Sequence, residues 1–76
     1  MKTTTKSIKD LKINNLVLFY GATMLITSNA KLSDHRDNTW IVPCKRIDTD
    51  YNLHSDILNE YDYFQGTELR LLTVIS

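Results

Sequence analysis

Apolar residues in this chain fall into short runs of strand length, separated by polar stretches carrying Asn and Asp. Residues 16–20 read LVLFY between Asn14-Asn15 and Gly21; that length with those flanks predicts a buried strand rather than a helix. Residues 23–28, TMLITS, continue in β-branched and apolar types, with Met24 and Ile26 on one face. Gly21-Ala22 between the runs predicts a hairpin, in preference to a bulge that bends one long strand. Residues 39–47, TWIVPCKRI, alternate so that Trp40, Val42 and Cys44 share a face, while Pro43 marks an edge strand or one broken by a bulge. In residues 61–65, YDYFQ, Tyr61, Tyr63 and Gln65 face one way and Asp62 and Phe64 the other. Gly66-Thr67 then turns the chain into a closing strand over 68–76.

Five such strands predict a mostly β fold, a small five-stranded antiparallel barrel or bent sheet with at most one short helix. Two places offer helical turns: Ser7 ahead of Ile8 and Leu11, and Ser55-Asp56 amid Leu53, Ile57 and Leu58. Two glycines and one proline are few for this many turns, so the thirteen Asn and Asp residues are expected to supply them. Leu32 stands alone in the polar loop 29–38.

Seventy-six residues fit one domain, 1–76, in which 1–7 is expected as a flexible basic arm. No apolar run nears the roughly 18 residues of a membrane helix, and no signal-peptide core is read at the start. Cys44 is the single cysteine, which excludes an intrachain disulfide and fits a reducing, cytoplasmic setting. Nine basic side chains balance nine acidic ones, so the usual net charge of a non-specific nucleic-acid binder is missing. So small a domain buries a modest core, which favours docking on a partner or self-association.

The chemistry-bearing residues do not assemble into a reaction centre. Asp48-x-Asp50-x-Asn52 has the alternating oxygens of a Ca²⁺ loop, but Leu53 stands where such a loop needs Gly, and Asn59 where it needs a bidentate acid. Ser33, Asp34, His35 and Asp37 are too close in one loop for a catalytic triad. His54 lacks a second ligand at metal spacing, and a lone cysteine in a strand reads as a core residue. Neither enzymatic activity nor any cofactor or metal is expected.

What remains is charge patterning. The stretch 48–68 carries six acids and no Lys or Arg, interleaved with tyrosines. Asp48, Asp50, Tyr51, Asp56, Glu60, Tyr61, Asp62 and Tyr63 are therefore the expected contact surface for a basic protein partner. The alternative is a nucleic-acid-binding barrel using Trp40, Lys45, Arg46 and Arg36, with Trp40 as a stacking platform.

The segments LVLFYGA at 16–22 and YFQG at 63–66, ahead of Val74, resemble short accessory proteins of tailed bacteriophages and, more broadly, SH3-like small barrels. The resemblance covers about a third of the chain. It implies a protein that binds and inhibits or modulates a host protein of the defence, restriction or transcription machinery, in the host cytoplasm. Homo-oligomers are compatible with it. It assigns no catalytic residue.

Overall fold

The computed structural model describes residues 2–47 and 62–75. Seven strands form one antiparallel sheet: β1 Thr3–Ser7, β2 Leu16–Phe19, β3 Ala22–Ile26, β4 Lys31–Leu32, β5 Trp40–Arg46, β6 Tyr63–Gly66 and β7 Leu71–Ile75. Their order is β1-β7-β2-β3-β5-β4, with β6 added on β5. The sheet curls into a half-barrel, and a single 3-10 turn, Ile8–Asp10, is its helical content among the described residues.

All five runs expected as strands are strands. Alternation sets their inner face: Val17 on β2, Ala22, Met24 and Ile26 on β3, Val42 and Cys44 on β5, Phe64 on β6, Leu72 and Val74 on β7. The hollow side of the curl is closed by Ile8 and Leu11, both fully buried, which project from the 3-10 turn and its end. They lie three residues apart, so one turn delivers both to the same side. Ser7 precedes this turn without capping it; its hydroxyl donates instead to the Glu68 carbonyl. Phe64 is the largest sealed side chain among the described residues, with the Phe19 ring edge-on at 4.9 Å and the Arg70 guanidinium 5.9 Å above its centre.

Turn chemistry explains several departures from expectation. The β2–β3 hairpin pairs Phe19 with Ala22, so its two-residue tip is Tyr20-Gly21, one residue earlier than Gly21-Ala22. Both tip residues have positive φ, 48° and 80°, the requirement of the hairpin turn whose twist matches the strands. Asn14 and Asn38 take positive φ as well, so asparagine does supply turns that glycine would otherwise fill. Residues 67–70 form a further turn closed by Arg70 N–H to the Thr67 carbonyl, which delays the last strand to Leu71.

Two strands were not anticipated. Thr3–Ser7, expected as part of a flexible arm over 1–7, pairs along all five of its residues with β7. Its threonines are β-branched, and the neighbouring strand supplies the ladder that the local sequence does not reveal. Lys31–Leu32, expected as loop, pairs with Ile41 and Trp40. Pro43 was expected to push its strand to an edge or a bulge, yet β5 is internal. It sits where β5 changes neighbours: β3 pairs with residues 44–46 and β4 with 40–41, on the side away from β6. The Pro43 carbonyl accepts from Thr27 N–H, and the missing proline N–H falls where the β3 ladder ends.

Candidate binding groove at the open end of the half-barrel

The inner face of β5 is sealed at one end and open at the other. Cross-strand register places inner residues in rows: Val42 lies opposite Phe64, and the next row is Leu32, Trp40 and Gly66. Val42 and Phe64 are wholly buried. The following row is uncovered on one side, because β4 contributes only two residues and Gly66 no side chain. The result is an open groove of about 440 Å³ lined by Leu32, Asn38, Trp40, Thr67, Glu68 and Leu69. Trp40 is half-buried and packs on the core, while Leu32 is 57% and Leu69 83% exposed.

Local chemistry fixes the walls. Asn38, in the left-handed region, turns the chain into β5. The 67–70 turn holds Leu69 at its tip, and Arg70 anchors that turn by donating to the Gln65 carbonyl. A Cβ on Gly66 would stand 2.8 Å from Arg70 Cδ, so glycine makes room for the arginine stem. Glu68 is the one charged lining residue, and its carboxylate is 3.3 Å from Lys9 Nζ. The groove is thus mixed, with Leu32, Trp40 and Leu69 beside the uncharged Asn38 and Thr67 and one carboxylate engaged by a lysine.

Most of the expected partner-binding residues fall outside the described part of the chain. Asp48, Asp50, Tyr51, Asp56, Glu60 and Tyr61 lie outside the described residues, as do the calcium-like pattern and His54. Asp62 and Tyr63 are both exposed at the start of β6, and Tyr63 is on the outer face, opposite Pro43. Of the acids in 48–68, the two described ones are Asp62, just before β6, and Glu68, in the turn after it.

The nucleic-acid set is dispersed. Arg46 shares the inner-face parity of Trp40 but lies at the far end of β5, about 20 Å away along the strand. Lys45 points to the opposite face, and Arg36 stands exposed in the loop before β5. Trp40 was open to reading as core or as platform; it packs on the core and also lines the groove. Leu32, Asn38, Thr67, Glu68 and Leu69 were not singled out from the sequence. An isolated leucine in a polar loop and a leucine directly after a turn were the available signals.

Two further candidates among the described residues, Ser33 and Cys44, are occupied or sealed. The Ser33 hydroxyl accepts the backbone N–H of His35, so in this loop it serves a turn rather than the imidazole. Cys44 is buried, and desolvation, with the Asp62 carboxylate adding to it, pushes its thiol from 9.0 up to about 11. Among the described residues no cluster of three or more His, Cys, Asp or Glu is placed to hold a metal ion, and no helix is long and apolar enough to cross a membrane. No family model, curated protein or solved structure matches the chain.

Proposed function

We propose that this chain is a non-enzymatic binding module that docks an apolar segment of a protein partner into the Trp40 groove. The observation carrying this reading is that two leucines left 57% and 83% exposed line one groove with Trp40, which packs on the core. Aromatic anchors at the centre of a small apolar patch are where binding energy concentrates. The resemblance to bacteriophage accessory proteins supplies the kind of partner: a host protein whose activity is modulated by occupation rather than by chemistry. The acidic stretch 48–61 then steers a basic partner, a role that its charge alone supports.

Charge separates this reading from a nucleic-acid platform. Phosphate recognition needs cations beside the stacking ring, and among the described residues that line the groove none is cationic, Lys9 reaching it only through its pairing with Glu68.

A random peptide library panned against the folded chain tests the reading directly. Enriched peptides are expected to carry an apolar anchor, to change Trp40 emission, and to lose about tenfold or more in affinity against Leu69→Lys. Peptides that bind Leu69→Lys as well as the parent chain would refute the assignment. So would tight, salt-sensitive quenching of Trp40 by a single-stranded oligonucleotide.

A further inference from the structure

On the reading of the groove as a docking site, we infer that Ser7, Ile8 and Lys9 form a clamp that sets the position of one of its walls. None of the three lines the groove, so Ser7 and Lys9 are positioning residues for the docked segment. Thr67, Glu68 and Leu69 on one side of the groove belong to the 67–70 turn; Leu32, Asn38 and Trp40 on the other belong to β4, β5 and the loop between them. The two walls adjoin at Gly66, which lies opposite Trp40. The width of the groove is therefore set by walls that are anchored separately.

The turn has little hold of its own. A hydrogen bond from Arg70 N–H to the Thr67 carbonyl closes it, and Leu69 at its tip is too exposed to be fixed by packing. Besides the Arg70 side chain on the Gln65 carbonyl, its anchors come from three consecutive residues. The Ser7 hydroxyl donates to the Glu68 carbonyl, Ile8 N–H donates to the Arg70 carbonyl at 2.9 Å, and Lys9 Nζ is 3.3 Å from the Glu68 carboxylate. Packing stiffens this clamp. Ile8 is fully buried and pins the 3-10 turn to the core, while the β1 register sets Ser7 opposite Leu71, directly after the 67–70 turn. Ser7 and Lys9, one on each side of that pin in sequence, both reach Glu68. The Lys9–Glu68 pair is exposed, at 41% and 63%, and so adds little to overall stability; what it supplies is position. A wall already in place spares a docked segment the cost of ordering it.

An uncharged peptide from the panned library, one whose affinity depends on Leu69, is titrated against variants of the full chain. Ser7→Ala and Lys9→Gln are each expected to weaken it about threefold or more, and the double variant about tenfold or more. Lys9→Arg, which keeps the cation, and Thr3→Ala, at the far end of β1, should bind like the parent chain. In the free protein, the amide NMR signals of residues 67–69 should shift and broaden in Ser7→Ala and Lys9→Gln, while those of Val42 and Phe64 stay in place. Should Ser7→Ala unfold the chain, Lys9→Gln, at an exposed position, carries the same test. Turn signals and affinity that ignore both substitutions would overturn the inference and leave the groove reading standing. So would a displaced turn with unchanged affinity, or a loss from Thr3→Ala equal to that from Ser7→Ala. Absence of any Leu69-dependent peptide would instead sink the groove reading, and the clamp's role in docking with it.

Discussion

Strand β5 shows one backbone in two environments. Val42 and Cys44 point inward between β3 and β6 and are sealed, whereas Trp40, on the same face two residues earlier, has solvent on one side. The side-chain pattern does not change between them; the cover does. Where neighbours are long strands, apolar positions become core, and where they are a two-residue strand and a turn, the same kind of position lines an open groove. A fold this small reaches the end of its interior within one strand, so its groove is an unfinished part of its core.

The comparison breaks most visibly in stability. Phe64→Ala empties the sealed end and should cost about 3–5 kcal/mol, close to the whole stability of such a domain, read by denaturant unfolding. If it costs no more than a groove substitution, the two ends are not different.

Alkaline pH probes the same end through Cys44. Its thiol ionises near 9.0 when unfolded and near 11 when folded, so the folded state holds the proton more tightly. The stabilisation is complete below pH 9 and is lost as pH rises towards 11, by about 2 kcal/mol. Denaturation midpoints at pH 8 and pH 10.5 should differ accordingly, and Cys44→Ala should flatten that part of the profile. A profile unchanged by Cys44→Ala would place the thiol in water.

Gly66→Ala tests the boundary between the ends. The new Cβ pushes on Arg70 at 2.8 Å and 3.1 Å, so a loss of about 1–2 kcal/mol is expected, with a shift in Trp40 emission as the 67–70 turn moves. Leu69→Ala should do least to the fold, within about 0.5 kcal/mol, while weakening peptide binding. A large stability loss there would mean that Leu69 is core.

The sealed end was legible in the sequence because alternation is local: residues 42 and 44, and Phe64 against Tyr63, declare their faces within a few positions. The hairpin was legible from Gly21, and the asparagine turns from composition. The open end was not. Leu32 gains meaning only by lying opposite Trp40, and Leu69 only because the 67–70 turn holds it across from them, both consequences of pairing between distant residues. Strand β1 was missed for the same reason, since TTTKS becomes a strand through β7 rather than through its own pattern. Pro43 misled because its cost depends on which neighbour its missing N–H would face. The acidic stretch was legible as charge, and charge alone does not say where side chains gather.

The most direct test of the groove places a photo-crosslinking amino acid at position 69 and, in a parallel chain, at Tyr20, which is 85% exposed at the hairpin tip. Both chains are irradiated in the cells where the protein acts. A discrete protein adduct from position 69, absent from position 20 and abolished by Trp40→Ala in a chain that remains folded, is the predicted result. Equal adducts from both positions, or adducts that survive Trp40→Ala, would contradict it.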